Sequence, residues 1–174
     1  MTTIGVAIAV PEPWGARLQD YRSTLGDRGA SGIPTHITLV PPRQITQDAL
    51  PAVEQHLAET SAATASFPVH LRGTGTFRPV SPVVFITVAE GISACELLAL
   101  SVRRGPLECD LEFPYHPHVT VAHHLEDALM DRAFEEMADF ECHFGVGSFG
   151  LYVHHGDGGW VQARDYPLLP LGDA

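Results

Sequence analysis

Two stretches about 80 residues apart read almost alike, and this echo constrains the fold more than any other feature. His36-Ile37-Thr38-Leu39 is matched by His118-Val119-Thr120-Val121, and the elements around each tetrapeptide repeat in order. IGVAIAV (4–10) reads as a strand stopped by Pro11, and the spacing of Trp14, Leu18, Tyr21 and Leu25 predicts a helix from Glu12 to about Gly26. THITLV (35–40) predicts a strand closed by Pro41-Pro42. Leu50, Val53 and Leu57 predict a helix from Thr46 to about Ala63, and FPVHLRGTGTF (67–77) reads as a glycine-broken strand.

The series then restarts. Strands are predicted at 82–90 and 116–124, helices from Ile92 to about Arg104 and from Leu125 to Ala138, and a strand over FECHFGVGSF (140–149). Two final strands, 150–155 and 160–168, flank the hairpin signal Gly156-Asp157-Gly158-Gly159. A period this long is no solenoid. It predicts a single bilobal domain over 1–174, with lobe-forming repeats at roughly 1–80 and 81–174 related by an approximate twofold axis. His143 echoes His70, and both are read as structural strand residues. Gly73 and Gly75, with Gly145 and Gly147, are read as bulges or close backbone approaches.

Composition narrows the chemistry. All ten basic residues among the 174 are Arg, against 21 Asp and Glu, for a net charge of −11. Without lysine there is no Schiff base and no P-loop amine. An acidic surface argues against long nucleic acid as a partner, because counterion release needs clustered cations. Cys95, Cys109 and Cys142 are scattered and read as reduced thiols of a cytoplasmic protein. No apolar run approaches the roughly 20 residues of a membrane span. The expectation is a cytoplasmic monomer with no membrane partner.

Ten histidines remain, and the matched pair matters most. In a strand, residues two apart share a face. Each tetrapeptide therefore sets a His and a Thr on one side and two aliphatics on the other. If the lobes face each other, two imidazoles and two hydroxyls surround one small volume. That set suits a phosphodiester: a neutral imidazole takes a proton, a protonated one gives a proton to the leaving oxygen, and hydroxyls donate to phosphate oxygens. No cofactor is needed and no metal is expected. Four histidines, His116, His118, His123 and His124, could also be read as a zinc cluster, but no recognised metal spacing accompanies them.

PTHITLVPP and HPHVTVAHH resemble the paired H-x-[ST]-h motifs (h, hydrophobic) of the two-histidine (2H) phosphoesterase superfamily, which includes the LigT-like 2′-5′ RNA ligase proteins and cyclic phosphodiesterases. The resemblance extends over essentially the whole chain. It implies an α+β, bilobal fold with antiparallel sheets lining a central cleft and helices outside. It also implies opening of 2′,3′-cyclic phosphates or cleavage of 2′-5′ diesters, with His36 and His118 as acid and base and Thr38 and Thr120 as phosphate binders. By the same resemblance, His118 would activate water and His36 would protonate the 3′ oxygen. Many such proteins carry Arg where this chain has His123, so the expected ligand is a small nucleotide with a cyclic phosphate or a short RNA end.

Arg43 and Arg78 are candidates for a substrate phosphate or, equally, for loop tethers. Tyr115 and Phe77 are candidates for stacking on a base, with core packing as the alternative. Two other functions fit the residues: a nucleotide or RNA-end binding module without turnover, and 2′-5′ ligation. A metal-dependent hydrolase is a third.

Overall fold

A computed structural model describes residues 1–27 and 32–172. Eight strands and four α-helices follow one another as β1 (Thr2–Ala9), α1 (Trp14–Thr24), β2 (His36–Ile45), α2 (Leu50–Ala62), β3 (Phe67–Thr76), β4 (Val83–Glu90), α3 (Ile92–Val102), β5 (His118–His123), α4 (Asp127–Glu136), β6 (Glu141–Val146), β7 (Ser148–His154) and β8 (Trp160–Pro167). The strands form one sheet in the order β6-β3-β4-β5-β2-β1-β7-β8, and every ladder is antiparallel. This is the α+β architecture expected.

The aliphatic halves of the two motifs account for the centre of the core. Ile37, Leu39, Val119 and Val121 are fully buried, while His36, Thr38, His118 and Thr120 on the alternate positions are only partly so. The pleat alone produces that division. Helix α3 packs on β2 and α1 on β5, so the helical layer crosses the seam between the two central strands. At that seam the pairing is a single residue pair, Ile37 with Val119.

The halves of the sheet are not the halves of the sequence. β3, from the first repeat, pairs with β4 and β6 of the second. β7, from the second, pairs with β1 of the first and carries β8 with it. The echo between 67–77 and 140–149 therefore does not mark symmetry-related strands. β3 and β6 lie side by side, and His70 is the register partner of His143.

Some expected boundaries move for identifiable reasons. β2 does not stop at Pro41-Pro42 but runs on to Ile45. Both prolines are exposed, and the β1 register shifts between Ile4, which faces Arg43, and Val6, which faces Val40. An irregularity there accommodates two residues that cannot donate to the ladder. Gly73 has φ +72 at a shift in the β3–β4 register, and a Cβ on Gly75 would stand 2.6 Å from the Phe85 ring. Gly145 and Gly147 meet neither constraint. Among the described residues, no helix is long and apolar enough to cross a membrane.

Candidate active site

The pair Ile37–Val119 fixes the geometry of the site. Stepping one residue in opposite directions along antiparallel strands sets His36 across from Thr120 and Thr38 across from His118. Each histidine thus faces the other motif's threonine. The arrangement is a four-residue square, twofold about the Ile37–Val119 pair. Because pairing between β2 and β5 is confined to that one point, the strands diverge on either side and leave room above the square.

Both imidazoles are held in the same way. His36 Nδ1 lies 2.8 Å from the carbonyl oxygen of Pro34, and His118 Nδ1 lies 2.7 Å from that of His116. A carbonyl only accepts, so each Nδ1 carries a proton and donates it. Each neutral ring then offers a bare Nε2, which is the atom needed for proton transfer. The proline-containing turns before each motif, Pro34-Thr35 and Pro117, position those carbonyls two residues upstream. Phe77 braces the second ring edge-on, with centroids 4.9 Å apart and planes at 86°.

Burial is the main cause of a lowered pKa at both His36 and His118, because it disfavours the charged form. At His36 the positive charge of Arg22 and the neighbouring His118 lower it further, against the raising effect of the Pro34 carbonyl. At His118 the His116 carbonyl raises and the nearby His116 ring lowers. Both imidazoles therefore rest neutral near pH 7.

Two cavities meet at the square, with Thr38 lining both. The larger, about 650 Å³, contains His118 and is walled by Phe77, Phe113, Tyr115, Val80 and Leu111, with Arg103 and Glu112. The smaller, about 310 Å³, contains His36, Thr120, His123, Arg22 and Trp160. One is an aromatic, strongly apolar slot, the other a smaller chamber with two histidines and the Arg22 guanidinium in its wall.

The other sequence candidates divide. Phe77 and Tyr115 line the larger cavity, and the Tyr115 hydroxyl donates to the Thr38 carbonyl oxygen at 2.8 Å, tying the segment before β5 to β2. Arg43 and Arg78 line neither cavity. Arg43 donates to the Leu107 and Glu108 carbonyls at 2.9 and 3.1 Å, a loop tether. Arg78 pairs with Asp131 at 2.9 Å and donates to Thr76 Oγ1 at 3.3 Å. Among the described residues, His116, His118, His123 and His124 do not converge on a common point that could hold a metal.

Sequence reasoning missed Arg22. Its side chain is 7% exposed and pairs with the still more deeply buried Asp27 through Nε and Nη2, at 2.9 and 2.7 Å. The signal was present: Arg22 stands four residues after Leu18 on the apolar face of α1, where a cation needs a reason. It supplies a guanidinium to the cavity where the motif itself ends in His123.

A family model described as the 2′-5′ RNA ligase superfamily matches residues 10–158. A candidate phosphoesterase of Bacillus licheniformis is 33% identical over 146 residues, covering 78% of this chain and 81% of that one. Another, from Halalkalibacterium halodurans, is 26% identical over 94% of this chain and 96% of its own. Among solved structures, Escherichia coli LigT complexed with 3′-AMP superposes with a TM-score of 0.72 at 18% identity, over 96% of this chain and 98% of that one. The same protein has also been solved with ATP and with phosphate.

Proposed function

The chain belongs to the 2′-5′ RNA ligase superfamily, and from that premise we propose that it is a metal-independent phosphodiesterase acting on 2′,3′-cyclic phosphates or 2′-5′ diesters of small nucleotides or short RNA ends. The observation that carries this reading is the square itself. Two imidazoles, each with Nδ1 committed to a backbone carbonyl, face two hydroxyls across one pair of strands.

In hydrolysis one Nε2 accepts a proton from water as the water oxygen bonds to phosphorus. The bond from phosphorus to one ribose oxygen breaks, and the second imidazole, protonated beforehand, gives that oxygen its proton. The enzyme ends with the two protonation states exchanged, and solvent restores them. Thr38 and Thr120 donate to the non-bridging oxygens as negative charge moves onto them. With the hydroxyl of an RNA end in place of water, the same steps join that hydroxyl to phosphorus as the ring opens, so ligation would use the same groups. Binding of 3′-AMP and ATP by the similarly folded LigT is consistent with a nucleotide in the apolar slot and phosphate over the square.

The test is turnover of nucleoside 2′,3′-cyclic phosphates, a short RNA with a cyclic end, and 2′-5′-linked oligoadenylate, all with EDTA present. Turnover that persists in EDTA and disappears in the His36→Ala/His118→Ala double variant supports the proposal. Turnover abolished by EDTA, or retained by that variant, refutes it.

A further inference from the structure

Away from the cleft, at the far end of the sheet, the register of β3 and β6 brings three potential metal ligands together. Among the described residues β6 is the edge strand and β3 its neighbour, with β4 standing between β3 and the catalytic strand β5. His70 is the cross-strand partner of His143, and Glu141 lies two residues before His143, on the same face. The two imidazoles stack with centroids 3.9 Å apart and planes at 14°. Both offer Nε2 to one carboxylate oxygen: Glu141 Oε1 is 2.7 Å from His70 Nε2 and 3.9 Å from His143 Nε2. One ligand atom from each residue lies within 4.8 Å of the others.

We infer that His70, Glu141 and His143 form a binding site for a divalent transition-metal ion of the zinc class. Two imidazole nitrogens and a carboxylate oxygen are a donor set zinc accepts, with a fourth tetrahedral position left for water. With bonds of about 2.0–2.2 Å, tetrahedral ligand atoms stand roughly 3.3–3.6 Å apart. The observed 2.7 and 3.9 Å bracket that spacing. Rotation of His143, whose side chain is 66% exposed, closes the difference without disturbing the core. His70 is the anchored member, at 12% exposure. A hydrogen-bonded His70–Glu141 pair alone would need no second imidazole; His143, turned out of its stack on His70, completes a three-ligand cup. The ion would clip the edge strand to its neighbour, and it has no part in proton transfer at the cleft.

The experiment is calorimetric titration of the metal-stripped full chain with zinc chloride, repeated for His143→Ala, Glu141→Gln and, as a control, His154→Ala/His155→Ala. One saturable site is expected. It should weaken at least about 10- to 100-fold in each of the first two variants, since loss even of a group that only orients a ligand costs that much, and stay unchanged in the control. Cobalt(II) should give an absorption band of tetrahedral intensity that His143→Ala removes, a readout that tests the coordination directly. Absence of saturable binding at millimolar zinc would overturn the site. Equal affinity in wild type, His143→Ala and Glu141→Gln would do so too, as would a weak octahedral cobalt spectrum indifferent to His143.

Discussion

The two motifs carry the same side chains in the same backbone setting, yet their surroundings differ. His118 opens onto a slot of about 650 Å³ walled by Phe77, Phe113 and Tyr115, whereas His36 opens onto a chamber of about 310 Å³ containing Arg22, His123 and Trp160. The symmetric part, two imidazoles and two hydroxyls, is what proton transfer to and from a phosphate demands. On the function proposed above, the asymmetric part would sort a ligand by its ends: a flat apolar group on one side, phosphate on the other. On that reading symmetry would serve the reaction and its breakdown recognition.

The largest effect should be blind to the asymmetry. His36→Ala and His118→Ala are each expected to lower kcat by about 10²- to 10⁴-fold, the usual worth of a positioned acid or base. Stopped assays on purified, folded variants would check this. If only one variant lost activity, the two rings would not form a working pair.

Next comes the smaller chamber. Arg22→Lys keeps the charge but loses the planar fork, and should raise KM about tenfold, more for a substrate with a second phosphate than for one without. An unchanged ratio between such substrates would remove Arg22 from recognition. Phe113→Ala tests the opposite side. Phe113 is 55% exposed, so its loss should spare the fold, and KM for a nucleoside substrate should rise roughly fivefold or more through lost stacking. The same change should leave KM for a non-nucleoside phosphodiester unaltered.

The smallest effect concerns pH. Both imidazoles have their pKa lowered below 6.5 by burial, so the form with one protonated and one neutral ring is most populated on the acid side of that value. A kcat/KM profile should peak below pH 6.5 and fall as the acid loses its proton above. The stability consequence has a definite sign. The unfolded chain binds these protons more readily than the folded one, so stability contributed by the neutral rings is present above about pH 6.5 and declines as pH falls through the lowered values. Melting temperatures of wild type and of His36→Asn should converge on acidification. A melting temperature that rises toward pH 5 would contradict the burial argument.

Much of this was legible in the chain because it is local. Alternation in HITL and HVTV dictates which side chains turn to the core, and the structure buries Ile37, Leu39, Val119 and Val121 accordingly. What escaped is long-range. Nothing in the spacing of 67–77 says that this strand will leave its own repeat to lie beside β4, because strand choice depends on partners distant in sequence. The echo of His70 in His143 was visible, but its meaning, adjacency in place of symmetry, needed the register. Pro41-Pro42 looked like a stop because a proline cannot donate, yet an exposed irregularity lets β2 run past it. Arg43 and Arg78 looked available for a phosphate, and only tertiary contacts show them tied to Leu107 and Asp131, while Arg22 was passed over.

The exchange of strands also bears on whether the molecule can be divided. A chain cut in the turn between β3 and β4 would leave β3 on the first piece and both of its partners on the second. The second piece would keep β7 and β8 but lose β1, which anchors them. Each piece would also hold one histidine of the pair. Neither fragment could close its own sheet or hold both histidines, so on the proposed function any turnover would report the reunion of the two pieces.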